Sequence, residues 1–218
     1  MLQQPPDDQI YLRTHARRYQ LLLELLGELA PKTILVVGPS YESVLLREAL
    51  DAKADTFGWE DERFPRVNGE THVQHDLNDL EYPALEPHDA VVCCEVIEHL
   101  HVDAVPVLER LGRAVAPGGH LVVQTPNATA LPKRVRMVLG ENPYEPIRQQ
   151  PGNPGHFHEY TVDELSGAVE AAGMTVERMI TANYFDHGSR KNRAYRSLER
   201  LLPGTLREGI TVVAQPRR

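Results

Sequence analysis

Residues 88–127 read HDAVVCCEVIEHLHVDAVPVLERLGRAVAPGGHLVVQTPN. The apolar run DAVVCCEVI at 89–97 reads as a buried strand and residues 102–114 as a helix. APGG at 116–119 closes that helix, and HLVVQTP at 120–126 is the next strand. Two buried strands joined through a helix form a parallel crossover unit. Toward the N-terminus the rhythm repeats: an amphipathic helix over 10–30, strand TILVV at 33–37, a helix over 42–52, and strand TFGW at 56–59. A turn-like link over 60–71 leads to strand HVQH at 72–75. Toward the C-terminus it breaks. An insert at 128–155, punctuated by Pro, Gly and Asn, carries one short basic helix, LPKRVRMVLG. A helix over 161–173 follows, with Thr161 as N-cap, Glu164 in the capping-box position and Gly173 at its end. Strand MTVERMITANY, a basic helical linker and strand GITVVAQP at 209–216 complete the chain. The alternation predicts an α/β chain, a parallel sheet with helices on both faces.

Composition narrows the function classes. The 218 residues suit a single domain over 1–218. A hydrophobic content of 41% with 25% charged residues is that of a globular protein. The net charge of −8 argues against nucleic acid as a partner. No apolar run reaches the length of about 18 residues needed for a membrane span. The N-terminus has no secretory pattern, so a cytoplasmic location is expected. The basic stretches Arg13, Arg17, Arg18 and Arg190, Lys191, Arg193, Arg196, Arg200 read as solvated helix faces. Cys93 and Cys94, adjacent on a strand, point to opposite faces and are expected as buried thiols. Nothing in the composition fixes an oligomeric state.

In an open parallel sheet ligands sit beyond the carboxyl ends of the strands. That singles out Gly38-Pro39-Ser40, then Glu60, then Asp76-Leu77, and finally Cys94-Glu95. Taken singly, each has a structural explanation as a turn glycine, a cap or a solvated acid. Together, at one sheet edge, they suit a nucleoside. A carboxylate about 20 residues past the glycine accepts both ribose hydroxyls. The next one, Asp76, can accept from an exocyclic amine.

Residues 88–127 also resemble the segment from the fourth to the fifth strand of class I S-adenosylmethionine-dependent methyltransferases. They are most similar to the group that includes ubiquinone-biosynthesis and sugar or natural-product O-methyltransferases. The marks are Asp89, Glu98-His99-Leu100, Pro117-Gly118-Gly119 and Pro126-Asn127, with GHFHEYTVDELSGAVEAAGM at 155–174 as a second block. The resemblance implies a Rossmann-like methyltransferase fold: a seven-stranded, mostly parallel sheet with an antiparallel last strand. It implies S-adenosyl-L-methionine as cofactor and a small-molecule acceptor, with O-methylation of a hydroxyl expected. Gly38, Pro39 and Ser40 would pass the cofactor's amino-acid end, Glu60 would hold the ribose, Asp76 and Leu77 the adenine, and Cys94 and Glu95 the region of the sulfonium.

The family loop is Gly-x-Gly-x-Gly, whereas this chain reads Gly38-Pro39-Ser40-Tyr41-Glu42. The cofactor carries no phosphate, so one tight turn suffices, and Glu42 is expected either in solvent or facing the cofactor's ammonium. His156 and then His99 are the candidate catalytic bases. Residues 1–30 are expected as a helical lid and 128–160 as the acceptor-pocket insert. No metal is expected, because His99-x-His101 and His156-x-His158, with Asp103, lack the acidic oxygen cluster magnesium prefers. Asn142-Pro143-Tyr144 is no amino-methyltransferase loop, since that loop follows the fourth strand. The rivals are a catalytically silent scaffold acting through protein contacts, and an NAD(P)-dependent oxidoreductase, which lacks its glycine fingerprint here.

Overall fold

The computed structural model describes residues 8–67, 69–149 and 154–217. Residues 1–7 of the expected lid and 150–153 of the expected insert lie outside the described residues. Helix α1 (Asp8–Leu29) leads into strand β1 (Thr33–Val37), helix α2 (Tyr41–Leu50), and strands β2 (Lys53–Gly58) and β3 (His72–Gln74). Strand β4 (His88–Cys94), helix α3 (Ala104–Arg113) and strand β5 (Val115–Pro126) form the crossover that opens the reading. Helices α4 (Leu131–Val138) and α5 (Val162–Ala171), strand β6 (Met174–Ala182), helix α6 (Arg190–Ser197) and strand β7 (Gly209–Pro216) follow. The seven strands lie in the order β3-β2-β1-β4-β5-β7-β6, with β7 antiparallel to both neighbours. Among the described residues, no helix is long and apolar enough to cross a membrane.

Strand alternation divides the core in two. Leu35, Val91, Cys93, Leu121 and Val123 face α3 and α5, meeting Leu108, Leu111, Leu165 and Val169. Ile34, Val36, Val92, Cys94 and Val122 face the other way, against Leu22, Leu25 and Leu26 of α1 and Leu46 of α2. The two cysteines are therefore buried free thiols on opposite faces, as their adjacency predicts.

The sheet's β3 side is closed without helices. The described residues of 59–71 are turns and coil, in line with the turn-like reading, and the β3-to-β4 link has no helix either. There the ring of Phe57 is covered by His75, stacked at 5.4 Å, and Tyr82 at 5.7 Å. Tyr82 Oη donates to Leu77 O at 2.9 Å, which holds the cover in place.

Three boundaries depart most from the sequence reading. Strand β5 begins at Val115, so APGG at 116–119 lies within the strand and does not close α3, which ends at Arg113. Strand β2 runs the full length of β1, pairing Thr33 with Lys53 through Val37 with Phe57. Strand β4 stops at Cys94, three residues early, because Glu95 turns into the left-handed region at φ 54°.

Asp89 fastens the other end of β4. Its Oδ2 accepts from Lys32 N at 2.9 Å, Thr33 N at 3.0 Å and Thr33 Oγ1 at 3.2 Å. Those backbone bonds outweigh desolvation and hold its carboxyl below the usual aspartate range. Asp89→Ala should cost about 2 kcal/mol in urea melts at neutral pH. The depressed group contributes stability above the ordinary aspartate pKa and loses it as pH falls through the lower folded value. The gap between wild type and variant should accordingly narrow in acid. A gap that stays constant with pH would contradict the charged role.

Candidate active site

Strand β1 ends at Val37, and the next residue, Gly38, has a φ of 81°, which suits glycine. Its N–H donates to Phe57 O at 2.7 Å. A methyl group placed on Gly58 would stand 3.4 Å from both Gly38 N and Leu77 Cδ1. The ends of β1 and β2 and the residue past β3 thus converge, without bulk, where the sequence places a nucleoside. Pro39 and Ser40 are half-buried in the turn. Ser43 Oγ closes it, donating to Ser40 O at 2.7 Å and accepting from Ser40 N at 3.3 Å.

Glu42 does not point into solvent. It is buried, and its Oε1 lies 2.6 Å from Nη1 of Arg18, which is fully buried on α1. Arg18, expected on a surface face, is instead the counterion beneath the loop. Burial disfavours its charge, but Glu42 and Glu95 outweigh that and raise its pKa well above the ordinary value. The close approach is off the hydrogen-bond axis, and both Nη1 and Nε have no hydrogen-bond partner. Helix α1 is further tied over the loop by Tyr11 stacked on Tyr41 at 5.5 Å. Arg17 pairs with Glu199 at 2.6 Å.

Glu60 is exposed on the rim, 3.2 Å from Arg66. Asp76 Oδ1 accepts from Asn78 N at 2.9 Å and Asn78 Nδ2 at 3.0 Å, and Leu77 is buried beside it. Cys94 and the half-buried Glu95 end β4, and Glu95 Oε1 has no hydrogen-bond partner. Desolvation, and then the charge of Glu98, raise the Glu95 pKa. Burial likewise raises that of the Cys94 thiol.

Beyond Glu95 the chain makes a short 3-10 turn over Ile97–His99, which sets Glu98 fully buried. Its Oε2 accepts from Thr125 Oγ1 at 2.9 Å, while its Oε1 has no partner. The Glu98 carbonyl receives Phe157 N at 2.8 Å and His158 N at 3.3 Å, docking the insert onto β4. That docking brings His99 and His156 together, ring centroids 4.8 Å apart. His99 Nδ1 donates to Gly155 O at 2.9 Å, so its Nε2 carries the lone pair. Desolvation lowers its pKa. Gly155 stands at φ 78°, and a Cβ there would meet Pro146 O at 2.2 Å. His156 meets Glu159 Oε1 at 2.9 Å through Nδ1 and Glu145 Oε2 at 3.1 Å through Nε2. Desolvation lowers its pKa, but Glu159, Glu98 and Glu145 outweigh this and raise it. Lys133 pairs with Glu159 in turn.

The sequence reading gave Glu98 and Glu159 no site role, and did not place Arg18 or Lys133 against a buried carboxylate. Glu98 was legible as half of the Glu98-His99 doublet just past β4. Arg18 was not, since one arginine among three on a helix carries no sign of which faces inward.

The strand order, its single reversed strand and this carboxyl-end constellation define the class I methyltransferase fold. Residues 15–178 match the family described as Methyltransferase domain, and the chain belongs to that family. A Mycolicibacterium smegmatis protein named "Probable S-adenosylmethionine-dependent methyltransferase" is 34% identical over 116 residues, which cover 53% of this chain and 38% of that protein. The chain thus spans well under half the length of that curated relative. The N-methyltransferase NodS of Bradyrhizobium japonicum, solved with S-adenosylhomocysteine, superposes with a TM-score of 0.58 at 13% identity, over 93% of this chain and 87% of that one. The 1,6-didemethyltoxoflavin-N1-methyltransferase of Burkholderia thailandensis, also solved with S-adenosylhomocysteine, gives 0.60 at 14% identity, over 94% and 80%. These similarities support S-adenosylmethionine as the cofactor, and the residues fit it: a glycine-lined edge, two carboxylates beyond β2 and β3, and a buried Glu95 Oε1 without a hydrogen-bond partner.

Removing one member of the buried pair leaves the other charge uncompensated. Arg18→Met and Glu42→Gln should each lower unfolding free energy by about 3 kcal/mol. The double variant should lose much less than the sum in denaturant titrations. Additive losses would show that the two charges do not depend on each other.

Proposed function

We propose that the protein transfers a methyl group from S-adenosylmethionine to a hydroxyl of a small-molecule acceptor. The observation that carries this is the convergence of Gly38, Gly58 and Leu77 at the carboxyl edge, next to Glu95 at the end of β4. When bound, the cofactor supplies an already activated methyl, so the chain has to bind, orient and take up a proton. Gly38, Pro39 and Ser40 form the turn along the amino-acid end. The charge-balanced group of Arg18, Glu42 and Glu95 suits that zwitterion. Glu60 holds the ribose, Asp76 and Leu77 hold the adenine, and Cys94 and Glu95 line the sulfonium side.

The acceptor lies on the side of His99 and His156. His99, anchored through Nδ1, offers an Nε2 lone pair for the hydroxyl proton. His156, held between two carboxylates, supplies positive charge. Helix α1 and the described parts of 128–160 enclose the acceptor, and Lys133, Arg134 and Arg136 favour an anionic one. Two buried free thiols are in keeping with a reducing cytoplasm.

Calorimetry with S-adenosylhomocysteine tests the cofactor half. Wild type should bind in the micromolar range, with Glu60→Ala and Asp76→Ala about tenfold weaker, the loss of a hydrogen bond to a charged group. No binding to wild type would favour the silent scaffold. An acceptor screen then tests the other half: His99→Gln should lower kcat while leaving cofactor affinity unchanged. Methylation confined to amines would overturn the hydroxyl reading.

A further inference from the structure

We propose that the outer face of α6, together with Arg13 of α1, is a docking surface for an acidic amphipathic helix of a partner protein. Residues 183–208 join β6 to β7 and carry six Lys or Arg against three Asp or Glu, in a chain whose net charge is −8. The rest of the chain is therefore more negative still, and positive charge is gathered on this segment.

Packing sorts those charges. The inner side of α6 is fixed. Tyr195 is buried and its Oη donates to Leu206 O, while Asn192 donates from Nδ2 to Phe185 O at 3.3 Å and accepts from His187 N at 3.2 Å. Among the described residues, the acids of the segment are already engaged. Asp186 pairs with Arg196 at 2.5 Å, Glu199 with Arg17 of α1 at 2.6 Å, and the buried Glu208 accepts from Phe185 N at 3.3 Å. Arg190, Lys191, Arg193 and Arg200 are exposed, and none has an ion pair among the described residues. Helix α1 lies alongside, with Thr14 O accepting from Asp186 N at 2.8 Å, so the exposed Arg13 joins the same surface.

Two bare leucines adjoin these cations: Leu198 is 50% exposed and Leu201, one helical turn on, is 81% exposed. Unpaired cations beside bare leucines are complementary to a helix that carries acids and apolar side chains on one face. A nucleic acid or an anionic membrane fits less well. Either one presents an extended negative surface to the negative remainder of the chain, which repels it. A phosphate backbone also offers the leucines nothing to bury against, whereas a compact acidic helix touches the patch alone.

The surface is held at the carboxyl edge of the sheet. The segment leaves β6 at Ala182 and returns at Gly209, which pairs with both Ala182 and Pro126 of β5. Asn127, just past β5, fastens it by donating from Nδ2 to Thr205 O at 3.1 Å and Arg207 O at 2.8 Å. A partner docked there would stand beside the proposed acceptor side. That consequence rests on the methyl-transfer reading; the docking itself does not.

The test uses the full chain, without cofactor or acceptor, and a defined probe. The probe is a dye-labelled synthetic helix of about 20 residues, long enough to hold its structure, with a glutamate face and a leucine stripe. By fluorescence anisotropy wild type should bind it saturably, and more weakly as salt is raised. Arg190→Glu combined with Arg193→Glu should weaken binding about tenfold or more, since two attractions become repulsions. Leu198→Ser combined with Leu201→Ser should weaken it about tenfold at any salt concentration. Arg113→Glu, on α3, should leave it unchanged. All these positions are exposed, and unchanged melting temperatures verify that the variants fold. The same titrations are made with a single-stranded oligonucleotide and with phosphatidylglycerol vesicles. No saturable binding of the acidic helix by wild type would overturn the proposal. So would tighter binding of the oligonucleotide or the vesicles that is lost in the double charge reversal.

Discussion

The loop at the carboxyl end of β1 rests on one buried ion pair, Arg18 with Glu42. Glu42 occupies the first turn of α2, where the related loops carry a glycine, and a lone carboxylate there would be strongly disfavoured. Arg18 enters from α1, which packs through Leu22, Leu25 and Leu26 on the same face of the sheet as Leu46 of α2. The N-terminal helix is therefore part of the loop's electrostatics. The loop acid and its counterion are separated by 23 residues of other structure but touch at 2.6 Å.

The second constraint is the exit from β4. Glu95 is held in a left-handed conformation that costs a non-glycine residue about 1 kcal/mol. The turn it starts aims Glu98 inward and His99 toward the insert. The insert answers with two backbone N–H groups on the Glu98 carbonyl and the Gly155 carbonyl on His99. The proposed cofactor edge and the proposed acceptor side thus meet within five residues, Glu95 to His99.

Much of this was legible in the sequence. Alternation of apolar strands with helices, and the blocks at 88–127 and 155–174, led to the sheet and its reversed last strand. Gly38, Glu60, Asp76 and Glu95 could be placed just past strand ends because those ends can be read from where apolar runs stop. Three things were not legible. The strand limit at Cys94 depends on one backbone angle, which the apolar residues Val96 and Ile97 conceal. The inward turn of Arg18 depends on packing of α1 against a distant loop. The meeting of Glu98, His99 and His156 depends on how a poorly patterned insert folds back, and local periodicity says nothing about that.

Restoring the family glycine probes the central pair most directly. The affinity of Glu42→Gly for S-adenosylhomocysteine, measured by calorimetry against wild type, should be lower, because Arg18 loses its counterion and the edge it supports. Equal or tighter binding by Glu42→Gly would contradict that dependence and mark the Arg18–Glu42 pair as incidental to the site.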